Sequence, residues 1–212
     1  MLIGHLSDLH GALKRVLDTN TNPDLWIATG DMFPNRTRGD VVVEVSHQRN
    51  WWDFYGKKIS DRFQGRPVVV VDGNHDYISF AQALREHGVE AYDISESPTV
   101  LGMKFAGFRE IPYIAGEWNG EVHDFREAVD EAFAQDPDIL VTHAPPAGIL
   151  DADHYGVGYG INLLMQALSY RPHKIRAHFF GHAHECGGNT VEEMGIRFFN
   201  GATKVRFHNI NL

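Results

Sequence analysis

Five short polar clusters in this 212-residue chain contain aspartate, asparagine and histidine, residue types that commonly bind metal ions. Five of the 13 histidines of the chain lie in these clusters. Oxygen and nitrogen donors of this kind suit Mn, Fe or Zn, and they suit copper(I) or iron–sulfur centres poorly. The clusters are Asp8-x-His10, Gly30-Asp31, Gly73-Asn74-His75-Asp76, His143 and Gly181-His182-x-His184.

The number of candidate ligands indicates two metal ions rather than one. A tetrahedral zinc site uses fewer donors than the clusters offer, whereas two ions that share a carboxylate would use them all. Two ions about 3.5 to 4 Å apart can activate a hydroxide and polarise a phosphoryl oxygen. The seven candidate ligands are Asp8, His10, Asp31, Asn74, His143, His182 and His184.

Each cluster directly follows a short apolar run, which is the pattern of a buried strand that ends in a loop. Residues i and i+2 that leave a strand point the same way, so Asp8 with His10, or His182 with His184, can reach one metal ion. In open α/β sheets, ligands bind beyond the carboxyl ends of the strands, and we therefore expect the clusters to converge. The five runs are Leu2–Leu6, Leu25–Ala28, Val68–Val71, Ile139–Val141 and Ala177–Phe180.

Helical patterns alternate with these strands and predict a layered α/β fold. Two further regions, 89–108 and 190–212, contain short β-like runs with Gly or Pro turns, and they indicate hairpins and a mixed second sheet. The helices are predicted at Gly11–Leu17, Val41–Phe63, Phe80–His87, Phe125–Ala134 and Ile161–Tyr170.

Composition limits the class of protein. The length predicts one domain. A total of 19 Lys and Arg against 28 Asp and Glu gives a net charge of −9, which argues against a broad basic surface for nucleic acid or membrane. One cysteine excludes an intramolecular disulfide framework. We find no signal peptide or membrane span in the pattern, and we expect a cytoplasmic protein without a membrane partner.

The order and spacing of the five clusters resemble the motifs of the calcineurin-like metallophosphoesterase superfamily, which run D-x-H, G-D, G-N-H-D/E, H and G-H-x-H. The resemblance covers nearly the whole chain. The segments 142–151 and 200–202 are most similar to the small single-domain branch, which includes the metallophosphoesterase-domain-containing proteins and lies near the class III cyclic nucleotide phosphodiesterases. The resemblance implies a four-layer αββα sandwich of two mixed β-sheets flanked by helices, as one domain over residues 1–212.

The resemblance also implies a role for each cluster. Asp8, His10 and His184 would hold a first metal ion, and Asn74, His143 and His182 a second, with Asp31 bridging both. A metal-bound hydroxide would attack the phosphorus, and His75 would bind the phosphate and protonate the leaving oxygen as general acid. Two divalent ions are implied, Mn before Fe, Zn or Ni. Further substrate contacts are expected from Asn35, Arg36, Asn74 and His75.

Two departures from the family pattern concern the residues after Asp31. Many relatives have G-D-x-x-D-R, in which the second Asp orients the catalytic His and the Arg holds phosphate, but here Asn35-Arg36 comes one residue late. Either Pro34 marks a bulge that restores both partners, or the orienting carboxylate is missing and Asp76 or water replaces it. The second departure is a long helical, Trp-rich insertion at about 35–66. Its aromatic residues either belong to the core, stack on a base, cover the site or form a partner surface.

Three functions compete. The first is a phosphodiesterase for a small phosphodiester or nucleotide, acting as a monomer or homodimer. The second is a nuclease or end-processing enzyme, which needs a basic track such as Arg36, Arg38, Arg49, Lys57, Lys58, Arg62 and Arg66. The third is a catalytically silent binding module, against which the intact clusters argue. The loops around Asn35, 118–124 and 154–160 are expected to set diester or monoester preference, with Tyr155 or Tyr159 as further substrate contacts.

Overall fold

Two stacked β-sheets form the centre of the computed structural model, which describes residues 1–12, 14–37, 40–116 and 118–211. The first sheet has the strand order β13-β1-β2-β3-β4, in which only β13 runs antiparallel to its neighbour. Its strands are β1 (Leu2–Leu6), β2 (Leu25–Ala28), β3 (Val68–Val70), β4 (Ala91–Asp93) and β13 (Val205–Asn209).

The second sheet has the order β11-β12-β10-β9-β6-β5, with a parallel centre and an antiparallel strand at each edge. A short parallel pair, β7 (Ile111–Pro112) with β8 (Glu121–Val122), lies outside both large sheets. The strands of the second sheet are β5 (Thr99–Val100), β6 (Met103–Phe108), β9 (Ile139–Thr142), β10 (Ala177–Phe180), β11 (Thr190–Glu193) and β12 (Ile196–Asn200).

In the part of the chain that the structure describes, five α-helices flank the sheets. The longest, α2, begins after Asp40, whose side chain accepts a hydrogen bond from the backbone N–H of Val43 at 3.1 Å and so caps the helix. Among the described residues, no helix is both long enough and apolar enough to cross a membrane. The helices are α1 (Lys14–Leu17), α2 (Val41–Phe63), α3 (Phe80–Glu86), α4 (Arg126–Ala134) and α5 (Asn162–Tyr170), with 3₁₀ turns at Ile94–Glu96 and His184–Cys186.

Three hydrophobic cores separate four layers. Alternate residues of one strand serve different cores, since successive side chains on a strand point to opposite faces. In β2, Trp26 packs with Trp52 and Phe63 of α2, whereas Ile27 belongs to the core between the two sheets. The other face of the second sheet packs on α4 and α5 in the third core. The predicted four-layer αββα sandwich is confirmed.

The predicted elements agree closely with the observed ones, with one informative difference. The helix expected at 11–17 begins at Lys14, and position 13 lies outside the described residues. The regions 89–108 and 190–212 do contain the hairpins β5–β6 and β11–β12. However, β4 and β13, from these same two regions, join the edges of the first sheet instead of the second.

Candidate metal centre

The five polar clusters meet at the carboxyl ends of strands from both sheets. Asp8 and Asp31 follow the neighbouring parallel strands β1 and β2, and the backbone N–H of Asp8 donates to the carbonyl of Gly30 at 2.8 Å. Asn74 follows β3 in the same sheet. From the second sheet, His143 follows β9 and the 181–184 cluster follows β10. The sequence prediction that separate loops supply one site agrees with this arrangement.

Four of the candidate ligands have a backbone conformation that side-chain-bearing residues rarely adopt. Their φ angles are positive: 51° at Asp8, 45° at His10, 56° at Asp31 and 64° at His182. Such residues cost roughly 1–3 kcal/mol each and are concentrated at functional sites, where the surrounding structure holds them in place. These backbone conformations therefore orient the side chains toward the site at a local cost in stability.

The first group of donors consists of Asp8, His10 and His184, whose ligand atoms lie within 4.8 Å of one another. The Oδ2 atom of Asp8 accepts hydrogen bonds from the hydroxyl of Ser7 at 2.6 Å and the backbone N–H of His182 at 2.9 Å. This leaves Oδ1 facing Nε2 of His184, 3.0 Å away. One carboxylate oxygen is thus fixed by the protein while the other faces the candidate site.

The second group consists of Asp8, Asp31 and His143, all buried. The Nδ1–H of His143 donates to the carbonyl of Thr29 at 2.7 Å, so Nε2 faces the site. Around Nε2 lie Oδ1 of Asn74 at 2.9 Å and Oδ2 of Asp31 at 3.5 Å. The imidazole of His182 lies beside this group, with its centroid 5.1 Å from that of His143.

Asp31, a member of the second group, also lies close to His10 of the first group. Its Oδ1 accepts the backbone N–H of His75 at 2.7 Å, and its Oδ2 is 3.9 Å from Nε2 of His10 and 3.5 Å from Nε2 of His143. From this position, the Asp31 carboxylate could serve a metal ion held by either group. The structure thus brings together all seven predicted ligands, with Asp31 at the centre.

The electrostatics of the site fit a cation. Burial disfavours the charged imidazolium of His143, but the Asp31 carboxylate outweighs burial and raises the pKa of His143 to about 9. Burial lowers the pKa of His182 to about 4, which keeps it neutral and able to bind a metal ion at neutral pH. Because Asp31 and Asn74 direct oxygen atoms to the same point, that point favours positive charge. A divalent cation satisfies the same donor set.

Two glycines allow the loops to approach closely. A Cβ atom on Gly73 would collide with the carboxylate of Asp31. A Cβ on Gly30, which has a φ of +95°, would lie 2.5 Å from Nδ1 of His143 and 2.7 Å from Cα of Gly73. A side chain at either position would therefore push apart the backbone that carries the ligands.

The structure decides between the alternatives for the orientation of His75. The loop through Pro34 brings Asn35 beside His75, with Oδ1 of Asn35 2.7 Å from Nδ1 of the imidazole. The amide Nδ2 of Asn35 donates to the backbone carbonyl of His75 at 3.1 Å. An amide therefore occupies the orienting position, and Nε2 of His75 lies 4.0 Å from Oδ2 of Asp31.

Asp76, considered above as a substitute for the orienting carboxylate, has a different role. Its buried carboxylate accepts four backbone N–H groups at 2.7 to 3.1 Å, and these bonds tie the loop after β2 to the loop after β3. The suggestion that Asp76 orients His75 is wrong, because these bonds direct both of its oxygens at the backbone. The donors are the N–H groups of Asp31, Met32, Phe33 and Gly73.

Two buried residues of α2 that the sequence analysis missed support the same loop. Glu44 accepts hydrogen bonds from the backbone N–H of Arg36 at 2.9 Å and from the hydroxyl of Thr37 at 2.8 Å. Gln48 donates to the carbonyl of His75 at 2.7 Å and accepts the N–H of Tyr77 at 2.8 Å. Their spacing of four residues, in register with the buried residues Trp52 and Gly56 of the same helix, was the available signal.

The aromatic residues of the predicted insertion divide between core and surface. Trp52 is 1% exposed and packs against Phe33 and Phe80, so it belongs to the core. Trp51 and Tyr55 pack against the same core, whereas Phe54 is 79% exposed. For Trp52, the core interpretation is correct.

The predicted substrate contacts outside the metal ligands lie on the margin of the site. Arg36 is exposed, and its backbone, rather than its side chain, bonds to Glu44. Tyr159 lies near the site, with its ring centroid 6.2 Å from that of His182, while Tyr155 is 87% exposed. Roles of these side chains in substrate binding stay predictions.

The fold and the paired Asp–His groups agree with the motifs of the family that the sequence resembles. Residues 1–186 match the family model described as calcineurin-like phosphoesterase, and the chain therefore belongs to the calcineurin-like phosphoesterase family. Members of this family use a dinuclear divalent metal centre, which agrees with the two donor groups around Asp31.

Three similar proteins share between 12% and 24% sequence identity with this chain. A phosphopantetheinyl hydrolase from Mycobacterium tuberculosis aligns with a TM-score of 0.58 at 17% identity, over 95% of this chain and 89% of its own. A dimetal phosphatase from Danio rerio aligns with a TM-score of 0.56 at 12% identity, over 94% of this chain and 86% of its own. A probable rhamnogalacturonate lyase C from Emericella nidulans is 24% identical in an alignment of 199 residues, which covers 88% of this chain but only 17% of that relative.

Proposed function

We propose that this chain is a dinuclear-metal phosphodiesterase that hydrolyses a small phosphodiester or nucleotide. The observation that carries the proposal is the position of Asp31, whose Oδ2 atom lies 3.9 Å from Nε2 of His10 in the first group and 3.5 Å from Nε2 of His143 in the second. The candidate general acid, His75, lies against the same carboxylate.

The donor geometry supports a specific division of ligands. Asp8, His10 and His184 would hold one ion, and Asn74, His143 and His182 the other, with Asp31 shared. Bound divalent ions supply a nucleophile at neutral pH and neutralise the charge on the phosphoryl oxygens. We propose Mn²⁺ as the native metal, since imidazole and carboxylate donors together suit it, with Fe, Zn or Ni as alternatives.

His75 is proposed to donate the proton that the leaving oxygen requires. Because Oδ1 of Asn35 accepts the proton on Nδ1, Nε2 is the atom that gives up a proton toward the site. Burial lowers the pKa of His75, and the nearby Asp31 carboxylate partly opposes this shift. In its protonated form, a histidine placed in this way can act as the general acid.

A small substrate fits the charges of α2 better than a long nucleic acid does. Arg49 pairs with Glu86 at 3.2 Å, and Lys57 pairs with Asp61 at 2.9 Å. Arg62 packs over the ring of Trp26, with its guanidinium carbon 5.0 Å from the centroid. Position 38, another member of the predicted basic track, lies outside the described residues. These pairs leave the helix poorly suited to follow a phosphate backbone.

Hydrolysis of bis-p-nitrophenyl phosphate against p-nitrophenyl phosphate with added Mn²⁺ tests the proposal. We expect preferred cleavage of the diester, and a loss in His75→Ala on the order of 10²-fold or more. His87→Ala, which alters an exposed histidine at the end of α3, is the control and keeps its activity. A monoester preference would contradict the diester assignment. No turnover by folded, metal-loaded protein with any divalent metal would overturn the whole proposal.

A further inference from the structure

The loop between β7 and β8 places an aromatic ring on the candidate general acid. The indole of Trp118 lies over the imidazole of His75, with centroids 4.1 Å apart and planes inclined at 44°. On the loop side, the indole lies so close to the backbone of Gly116 that a Cβ there would collide with it. The indole therefore fills the space between the loop and His75.

This loop is tied to the turn that carries His75. The side-chain amide of Asn119 donates to the carbonyl of Asp76 at 3.0 Å. Arg109, at the end of β6, donates to the carbonyls of Gly73 and Asp76 at 2.8 and 3.2 Å. Within the loop, the backbone N–H of Gly116 donates to the carboxylate of Glu121 at 2.9 Å. Trp118 is thus presented by an anchored segment.

The contacts of His75 differ in what they constrain. The hydrogen bond with Asn35 fixes the position of Nδ1, but a single bond leaves the ring free to tilt about that contact. The indole packs against the imidazole at a tilt of 44° and so restricts its rotation. The rings of His10 and His75 are nearly perpendicular, with centroids 5.0 Å apart. The direction of Nε2 depends on the hydrogen bond and the contact with the indole together.

We propose that Trp118 is a positioning residue for His75, which holds the imidazole so that Nε2 faces the leaving oxygen. This proposal rests on the proposed function, because it assumes that His75 donates a proton. Misplacing the proton donor lowers the reaction rate most when the leaving group is a poor one, because a basic leaving oxygen depends most on protonation. Removal of the indole is therefore expected to slow the cleavage of esters with basic leaving groups, while metal binding and substrate affinity are kept.

The test compares Trp118→Ala and Trp118→Phe in metal-loaded protein, with bis-p-nitrophenyl phosphate and diphenyl phosphate as substrates. For Trp118→Ala we expect kcat on diphenyl phosphate to fall about tenfold or more, since general acid catalysis is worth about 10²–10⁴-fold in full. On bis-p-nitrophenyl phosphate, kcat is expected to fall less, and KM is nearly unchanged on both substrates. Trp118→Phe restores most of kcat. Tyr113→Ala, an exposed ring in the same loop, is the control for general loop damage.

Two kinetic results would overturn the proposal. An equal loss of kcat on both esters, together with lower metal content, would indicate a structural role. A raised KM with unchanged kcat would make Trp118 a surface for the substrate. If the wild type turns over neither ester, the proposed function fails. The orientation of the His75 ring in a crystal structure of Trp118→Ala then decides: a displaced ring supports positioning, and an unchanged ring contradicts it.

Discussion

The side-chain amide of Asn35 pairs with His75 twice, through Oδ1 to Nδ1 of the imidazole at 2.7 Å and through Nδ2 to the backbone carbonyl at 3.1 Å. Glu44 explains why an amide suits this position, because its Oε2 atom lies 3.5 Å from Nδ2 of Asn35. A carboxylate at position 35 would face the buried carboxylate of Glu44, and like charges at that distance repel.

This relationship predicts a non-additive pair of substitutions. Asn35→Ala is expected to lower kcat about tenfold or more, because His75 loses its orienting acceptor. The kcat of Asn35→Asp alone is expected to be little higher than that of Asn35→Ala, because Glu44 repels the introduced carboxylate. Asn35→Asp combined with Glu44→Gln recovers activity, because the new glutamine amide is uncharged and can donate to the carboxylate introduced at position 35. Steady-state kinetics of the wild type, Asn35→Asp, Glu44→Gln and the double variant measures the coupling. Full activity in Asn35→Ala would contradict the orienting role.

Most of the fold could be predicted because its strands are short and almost wholly apolar. The bounds predicted for α2 agree with the observed helix at both ends, since Asp40 caps it and the pattern ends before Gln64 and Gly65. The pairing of β4 and β13 could not be predicted in this way. Their sequences are short and only partly buried, and their place at the edge of the first sheet depends on tertiary contacts.

The candidate ligands could be predicted from residue type and spacing, but their supporting residues could not. Trp118 reaches His75 from the loop between β7 and β8, and no local pattern predicts this contact. The spacing of Glu44 and Gln48 on α2 indicates two buried polar residues, but it does not show that Glu44 contacts Asn35. The positive φ angles of Asp8 and Asp31 also escape sequence analysis, because residues other than glycine adopt them only where the surrounding structure requires it.

Gly30 and Gly65 provide a matched test of the crowded backbone. Both have positive φ, so an alanine costs roughly 1–2 kcal/mol at either position from backbone conformation alone. A Cβ at Gly65 meets open space, whereas at Gly30 it would lie 2.5 Å from Nδ1 of His143. We expect Gly30→Ala to lower the free energy of unfolding by about 1–3 kcal/mol more than Gly65→Ala does, as measured by urea denaturation. Equal losses would contradict the close approach.

The buried side chain of His178 is expected to make the folded protein less stable in acid. Burial lowers its pKa to about 3, against about 6.5 in an unfolded chain. Between these values the unfolded chain binds the extra proton, so the free energy of unfolding falls as pH decreases from about 6.5. At pH 5, the protonation of this single group in the unfolded chain lowers the free energy of unfolding by at most about 2 kcal/mol.

His178→Gln tests this prediction, because glutamine can keep the hydrogen bond to the hydroxyl of Thr142 without titrating. Urea denaturation at pH 7 and pH 5 is expected to show a smaller difference in the variant than in the wild type. His123→Gln, at an exposed position, is the control and keeps the wild-type difference. An unchanged difference in His178→Gln would show that this histidine is not the origin of the acid sensitivity.

Metal stoichiometry in the wild type and Asp31→Asn tests the central claim most directly. Each protein is dialysed against Mn²⁺, and the bound metal is counted by mass spectrometry beside a circular dichroism spectrum that confirms folding. If Asp31 joins the two donor groups, the wild type binds about two ions per chain, as two-metal phosphoesterase sites do, and Asp31→Asn binds fewer. A wild type that binds no ion, or a folded Asp31→Asn that binds as many as the wild type, would contradict the account.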